Sequence, residues 1–361
     1  MRILFCGGGT AGHVYPNLAI AETFLRNEPN VRFAYVTTTN GIENELVSFK
    51  KYPINVVGLK RVISVKNIKF ASSLIKGMKE SKKIIQEFMP DIIIGTGGYA
   101  TFPVIYVGHK MGIKTVIHES NIVPGKAIKA LEKRVDKIFL NFEESKRYFK
   151  NKDKIIRVGN PLRHGYYSLE KNEARKSIGI NENNVILCFG GSLGATKINE
   201  AALELIDNLI KYRKDLLLIW GTGKREYANI QKKLEQRGFS RLKNVRVVDY
   251  IRNMPEVLSS ADIVICRAGA MTISEVSLCG KCTIFVPSPN VTNNHQYKNA
   301  KALYDKGCVA LLKEEELYKL TDEVIDLLEN SKKRKEMEIA IQEFAMTDAN
   351  KIIYKEVLKL L

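Results

Sequence analysis

Repeatedly along this chain, a short run of apolar and β-branched residues stops at a glycine cluster and restarts with helical spacing. Arg2 to Cys6 reads as a strand, Gly7 to Gly12 as a turn and His13 to Arg26 as a helix, with Val31 to Thr37 as the next strand. Asp91 to Ile94 leads in the same way into Gly95-Thr96-Gly97-Gly98-Tyr99-Ala100-Thr101-Phe102-Pro103 and a helix to about Met111. In the second half Asn184 to Phe189, Gly190 to Gly194 and Ala195 to Ile210 repeat the layout. Strand, tight turn, helix, strand is the βαβ unit, and its repetition predicts parallel sheets covered by helices on both faces. Such sheets place ligands at the carboxyl ends of their strands.

The stretch Asp262 to Glu275 is one of these units, breaking at Arg267-Ala268-Gly269. A helix N-terminus leaves N–H groups unpaired and carries roughly half a positive charge, so it favours a phosphate or another oxyanion. Thr272, Ser274 and Glu275 stand where side chains could add contacts. A phosphate gains nothing from a carboxylate, so Glu275 suggests a hydroxyl-rich ligand such as a ribose, whose diol it can accept from. The competing expectation is that Glu275 is a first-turn acid that merely complements the helix dipole.

At 361 residues the chain is long for one domain and predicts two. Met1-Arg2 runs straight into a strand, which predicts no signal peptide, and no apolar stretch is long enough to span a bilayer. A cytoplasmic location follows, and the six cysteines fit it, since Cys6, Cys188 and Cys266 lie in apolar runs as buried small hydrophobes. Cys279-Gly280-Lys281-Cys282 is a CxxC, but Gly280 stops a helix and Cys282 begins a strand, without the helix N-terminus that stabilises a thiolate. There is no second pair for zinc, so a structural role is expected. The net charge of +18 implies an anionic partner: nucleic acid, anionic lipid or a phosphorylated substrate.

The glycines of the first turn match G-x-G-x-x-G, which makes a dinucleotide-binding domain a competitor. Yet the second strand ends in Thr37-Thr38-Thr39, with no acid there to hold a ribose diol. After Ile54 to Gly58, the segment Lys60 to Lys83 carries eight Lys or Arg residues against one acid, Glu80, interleaved with Ile63, Val65, Ile68, Phe70, Leu74, Ile75 and Met78. A basic amphipathic helix is expected. If half of those charges face anionic lipid, at about 1 kcal/mol each, they supply roughly 4 kcal/mol, enough for reversible docking. A solvated basic face over a core-facing stripe is the alternative, and RNA binding lacks aromatic platforms here.

Lys114 to Ile117 reads as a strand ending in His118-Glu119-Ser120-Asn121, which gathers polar residues at a carboxyl end. Strands near Lys137 to Leu140 and Ile155 to Val158 complete the first half. Gly159-Asn160-Pro161 breaks the pattern, which sets domains at 1–161 and 162–346 with Leu162 to Gly165 as linker. Further strands are expected at Leu216 to Trp220, Val245 to Val248, Ile263 to Cys266, Thr283 to Val286 and Val309 to Leu312. From Glu314 the chain reads as helices, the last of which, in about 347–361, is expected to pack back on the first domain. No complete GxxxxGK[ST] occurs, so a P-loop NTPase is excluded, and no Asp-x-Asp occurs either. An enzyme breaking a nucleotide-sugar bond here would stabilise the departing diphosphate with helix ends, hydroxyls and arginine rather than a carboxylate-bound metal.

GGGTAGHVYPNLAIAE, GTGGYATFP, HESN, GNPLR, GGSLGA, RAGAMTISE and NNHQYKNA run in order from Gly7 to Ala300. In that combination the chain resembles the bacterial MurG glycosyltransferases, which move N-acetylglucosamine from UDP-N-acetylglucosamine onto undecaprenyl-linked muramyl-pentapeptide. The resemblance implies an α/β fold of two Rossmann-like domains facing across a cleft, the GT-B glycosyltransferase fold. The first domain would face acceptor and membrane, and the second would bind UDP-N-acetylglucosamine. It implies inversion at the anomeric carbon, no cofactor and no metal, no nucleic acid partner, and a peripheral place on the cytoplasmic face of an anionic membrane.

Carried over by position, the donor contacts are Thr10, Ala11, Gly12, Asn121, Arg163, Ser192, Ile251, Ala270, Met271, Thr272, Ile273, Ser274, Glu275 and Gln296, with Gly97, Gly98 and Tyr99 on the acceptor side. Arg163 and Ser192 suit a diphosphate, Glu275 a ribose diol and Gln296 a sugar hydroxyl. His295 stands where some members have another Gln, and the first domain has no tryptophan, which shifts membrane docking toward charge. For the general base His13 is favoured, because the helix it opens keeps an imidazole neutral; Glu119 is the rival. His13 could instead only orient the turn or the acceptor. Other readings are a transferase acting on diacylglycerol, a UDP-sugar epimerase of the same fold, a dehydrogenase resting on Gly7 to Gly12, and a basic nucleic-acid-binding protein.

Overall fold

The computed structural model describes residues 1–57, 66–167 and 169–361. It divides into two compact units, one formed by Met1–His164 with Met346–Leu361 and the other by Gly165–Ala345.

The first unit carries β1 (Arg2–Cys6), β2 (Arg32–Thr38), β3 (Lys50–Ile54), β4 (Ile92–Gly95), β5 (Lys114–Glu119), β6 (Lys137–Leu140) and β7 (Ile155–Arg157). They form one sheet in the order β3-β2-β1-β4-β5-β6-β7, every pair parallel. Helices cover both faces, which is why the central strands read as unbroken apolar runs rather than alternating ones. Ile3 and Phe5 of β1 turn to one face and pack with Phe24, Ile353 and Val357. Leu4 and Cys6 turn to the other, with Ile84, Ile85, Val104 and Ile105. The strand β3, Lys50–Ile54, is one that the sequence pattern does not announce. Its two lysines and Pro53 explain why pattern missed it. They are tolerated because β3 is an edge strand, where a missing N–H and exposed charges break no central ladder.

The last helix, Ala349–Leu358, buries Ile353 and Val357 in this unit. Tyr354 meets Phe24 edge-on at 4.9 Å and donates to Glu28 at 2.8 Å. An aromatic pair of this kind adds about 0.5–1.5 kcal/mol to the area it buries. Asn350 both accepts from the Leu162 amide (3.1 Å) and donates to the Leu162 carbonyl (2.8 Å). The unit boundary therefore falls after His164, slightly later than the Gly159-Asn160-Pro161 break suggests, because Leu162 is tied to the returning helix.

The helix Lys66–Phe88 buries Gly77, Ser81, Ile84 and Ile85 at helical spacing and exposes Lys76, Lys79, Lys82 and Lys83. Residues 60–65 of the expected basic segment lie outside the described residues. Among the described residues no helix is long and apolar enough to cross a membrane.

The second unit carries β8 (Asn184–Phe189), β9 (Leu216–Gly221), β10 (Val245–Val248), β11 (Ile263–Cys266), β12 (Cys282–Phe285) and β13 (Ala310–Leu311), ordered β10-β9-β8-β11-β12-β13 and parallel. Ile186, Cys188, Leu218, Trp220, Ile263 and Ile265 fill one face. β13 is shorter than the apolar run Val309 to Leu312, as suits a strand at the sheet's edge. In both units the first strand lies inside the sheet with its sequence neighbours leaving to opposite sides: β1 between β2 and β4, β8 between β9 and β11. That reversal spreads the loops apart at the carboxyl ends and opens a crevice there in each sheet.

The CxxC sits away from those ends. Both its cysteines are free thiols; burial pushes Cys279 up to about 11 and Cys282 up to about 12, so neither is a thiolate near neutral pH. Between them Lys281 is 7 % exposed and donates to the carbonyls of Ser259 (2.6 Å) and Ala261 (3.1 Å). Burial lowers its pKa from 10.5 to about 8, against weaker opposing effects of Cys279, Asp262 and Glu338 and with a small addition from the like charge of Lys171. Between those two values the folded chain has lost a proton that the unfolded chain keeps, so this residue's contribution to stability rises with pH. Lys281→Met is expected to abolish that rise, changing the wild-type minus variant difference in unfolding free energy by about 3 kcal/mol across the window. Urea unfolding at both ends of the window checks it, and parallel pH dependences for the two proteins contradict it.

Candidate active site

In the first unit the turns after β1 and β4 lie against each other at the reversal. The Gly8 amide donates to the Gly97 carbonyl at 3.2 Å, and the Thr96 amide to Cys6 at 3.1 Å. A Cβ on Gly98 would sit 2.1 Å from the Gly8 carbonyl oxygen, so the two backbones touch where no side chain fits. Asn17 locks the corner from the helix Ala11–Asn27, donating to Cys6 O (3.2 Å), Tyr35 OH (3.1 Å) and Thr96 Oγ1 (2.9 Å); Tyr35 in turn donates to Gly7 O at 2.7 Å.

His13 stands in the first turn of that helix with its ring against Gly97; a Cβ there would meet Cδ2 at 2.9 Å and Nε2 at 3.1 Å. Its Nδ1 lies 3.1 Å from the Gly8 carbonyl and 3.2 Å from Thr10 Oγ1. A carbonyl only accepts, so the bond to Gly8 puts the proton on Nδ1 and the lone pair on Nε2, the tautomer a general base needs. Thr10 is exposed, Ala11 and Gly12 are half-buried, and Tyr99 is 52 % exposed beside Gly9.

Glu119 is placed differently. It is 4 % exposed, and it accepts from the Asn121 amide (2.8 Å), Asn121 Nδ2 (3.1 Å) and the Gly125 amide (2.8 Å). Burial raises its pKa against those bonds. This carboxylate shapes the loop that presents Asn121. The neighbouring His118 is fully buried, donates Nε2–H to Gly159 O (2.8 Å), and is held neutral by burial, with its pKa pushed down to about 4. Arg163 lies with its guanidinium 4.9 Å from the Tyr15 ring centroid.

A residue that sequence reading passed over decides against a dinucleotide in the first turn. Glu43 is fully buried and accepts from the Gly9 amide (3.3 Å), the Thr38 amide (2.8 Å) and Thr38 Oγ1 (2.6 Å). The chain thus supplies its own carboxylate to the glycine turn, and a pyrophosphate seated there would meet like charge. Nothing in the sequence around Glu43 distinguishes it from an exposed helical acid; only the return of the loop to β2 reveals it.

In the second unit the turns after β8 and β9 lie against each other. Gly194 takes φ +83° and approaches Gly223 so closely that a Cβ would lie 2.2 Å from the Thr222 carbonyl oxygen. Asn199 braces this corner as Asn17 does the other, donating to Thr222 O and accepting from Trp220 Nε1, each at 3.0 Å. Ser192 is half-buried in the turn, and Ile251 is buried against Gly221. Arg267 is committed inward, donating to Val286 O (3.1 Å) and to Glu314.

The helix Ala270–Leu278 follows with Gly269 as its N-cap and no acid in its first turn. Glu275 lies one turn further on, which corrects the expectation of a first-turn acid: there the helix dipole gives it little. Its Oε1 instead accepts from Tyr166 OH at 2.9 Å. Met271 and Ile273 are buried, Thr272 and Ser274 half-buried, and Gln296 Oε1 accepts from the Ser288 amide at 2.9 Å in the first turn of His295–Tyr304.

Two parallel α/β sheets, each with a glycine turn at its strand reversal, give the fold of a sugar-nucleotide enzyme with two α/β domains. Residues 3–140 match the glycosyltransferase family 28 N-terminal domain, and residues 185–353 the glycosyltransferase family 28 C-terminal domain. A protein of Alkaliphilus metalliredigens, named UDP-N-acetylglucosamine–N-acetylmuramyl-(pentapeptide) pyrophosphoryl-undecaprenol N-acetylglucosamine transferase, is 40 % identical over 367 residues, covering 100 % of both chains. The crystal structure of Acinetobacter baumannii MurG shares the fold, with a TM-score of 0.74 at 23 % identity over 99 % of each chain. A UDP-GlcNAc 2-epimerase of Neisseria meningitidis shares it at 0.67 and 18 %, over 99 % of this chain and 100 % of its own. The chain belongs to glycosyltransferase family 28 and, within it, to the MurG transferases.

Proposed function

We propose that this protein transfers N-acetylglucosamine from UDP-N-acetylglucosamine to the 4-hydroxyl of the muramyl sugar on undecaprenyl-pyrophosphoryl-MurNAc-pentapeptide, with inversion at the anomeric carbon. The observation that carries this is end-to-end 40 % identity to a transferase whose name states both substrates. In this reading Nε2 of His13 takes the proton of the acceptor hydroxyl as its oxygen attacks the anomeric carbon and the bond to UDP breaks. The leaving diphosphate is stabilised by the first-turn amides of Ala270–Leu278, Ser192 and Arg163, with Thr10 to Gly12 and Asn121 around the sugar. Glu275 accepts from the ribose, Ile251 flanks the uracil, and Gln296 reads a sugar hydroxyl. Gly97, Gly98 and Tyr99 form the acceptor side.

Acceptor-dependent UDP release tests the reaction class. Release from UDP-N-acetylglucosamine only when the muramyl lipid is present is expected; isomerised sugar without acceptor would point instead to an epimerase.

Lys76, Lys79, Lys82 and Lys83 share the exposed side of Lys66–Phe88 with Ile75, which is 57 % exposed. This supports peripheral docking on the anionic cytoplasmic face of the membrane. The full chain is expected to co-sediment with vesicles containing phosphatidylglycerol and to be released by salt. Equal binding to neutral vesicles contradicts this.

A further inference from the structure

We infer that Tyr166 is a positioning residue for the nucleotide's ribose, acting by fixing the Glu275 carboxylate through its phenol. This rests on the reading of Glu275 as the ribose contact and extends it to a residue that neither the motifs nor the relatives' names assign. Three observations carry it. The Tyr166 hydroxyl donates to Glu275 Oε1 at 2.9 Å, linking residues far apart in sequence. The Tyr166 side chain is only 5 % exposed, so its ring cannot swing out and the bond's direction is set by packing. The segment that carries it is held in place by close packing, since a Cβ on Gly165 would meet the Pro255 ring carbons at 3.3 and 3.4 Å.

The chemistry explains what such a bond does. Glu275 sits in the second turn of its helix, beyond the reach of the N-terminal amides, and a glutamate with three rotatable torsions is a poor diol acceptor unless its plane is fixed. An ionised carboxylate has about four lone-pair directions over two oxygens. One charge-assisted bond from a buried phenol uses one direction on Oε1 and sets the plane of the whole group, which aligns the remaining directions for the vicinal hydroxyls of a ribose. A nucleotide lacking the 2′-hydroxyl gains less from that alignment. Tyr166 thus contributes to discrimination between ribo- and deoxyribonucleotides rather than to the chemical step.

The test uses the full-length protein and titrates UDP and 2′-deoxy-UDP by calorimetry into wild type, Tyr166→Phe and Glu275→Ala, with steady-state turnover beside it. Tyr166→Phe keeps the ring and its packing. It is expected to weaken UDP binding by about fivefold to tenfold, to weaken 2′-deoxy-UDP by much less, and to raise the KM for UDP-N-acetylglucosamine with kcat retained. On the Glu275→Ala background the same substitution is expected to add nothing, because the group it positions is gone. Equal losses for UDP and 2′-deoxy-UDP, or a full additional loss in the double variant, overturn the role of Tyr166 while leaving Glu275 as the ribose contact. If Glu275→Ala itself fails to distinguish the two nucleotides, the ribose reading of Glu275 falls, and the inference with it.

Discussion

His13→Ala is expected to lower kcat by about 10²–10⁴-fold, the range that one positioned general base contributes. The KM for UDP-N-acetylglucosamine should change little. The reason lies in the ring's setting. Nδ1 faces the Gly8 carbonyl, which can only accept, so the proton resides there and Nε2 keeps its lone pair. Alanine removes the lone pair but leaves the helix Ala11–Asn27 and the two glycine turns, whose backbone bonds do not pass through the imidazole. If the variant keeps most of kcat and only its acceptor KM rises, His13 orients the acceptor and is not the base. Glu119 is a weaker candidate for that task, because three N–H bonds already bind its two oxygens within its own loop.

Gly98→Ala should be the most damaging conservative change in the first unit. Its φ of +85° disfavours any L side chain, and the added carbon would lie 2.1 Å from the Gly8 carbonyl oxygen and 2.9 Å from Gly8 N, which are backbone atoms that cannot rotate away. A loss of about 3 kcal/mol or more is expected, together with collapse of activity, because relieving the clash moves the turn that carries Gly8 and hence His13. Gly112→Ala provides the control. It too has positive φ, +76°, but nothing lies within 4 Å of its added carbon, so it should cost about 1 kcal/mol and leave turnover intact. Paired urea unfolding and activity measurements check both. Similar small losses for the two variants would mean that the turns are not locked together.

Where sequence and structure agree, the signal was local. Apolar runs ending in glycine give away β1, β4, β8 and β11, because a buried parallel strand and the turn that follows it are both written in consecutive residues. The reversal of strand order is not local, and it is what sets the turns after β1 and β4 side by side. Edge strand β3 was not legible because Pro53 and two lysines carry no strand pattern of their own. His13 and the helix starting at Ala270 were legible as candidates from their place after glycine turns. Glu43 and Tyr166 were not. Their roles depend on loops returning to distant strands and helices, and an acid or a tyrosine in such a loop looks like surface until the partner is known. Glu275 was legible as a candidate contact, and its alternative role as a first-turn acid falls because the observed N-cap, Gly269, places it in the second turn.

Purified protein should be mixed with undecaprenyl-pyrophosphoryl-MurNAc-pentapeptide in detergent micelles and given UDP-N-acetylglucosamine or UDP-glucose in parallel, with diacylglycerol as a separate acceptor, and the lipid product identified by mass. Addition of one N-acetylhexosamine to the muramyl lipid from UDP-N-acetylglucosamine is expected, with little product from UDP-glucose and none on diacylglycerol. A glycosylated diacylglycerol, or an unchanged muramyl lipid while the sugar nucleotide is consumed, would contradict it.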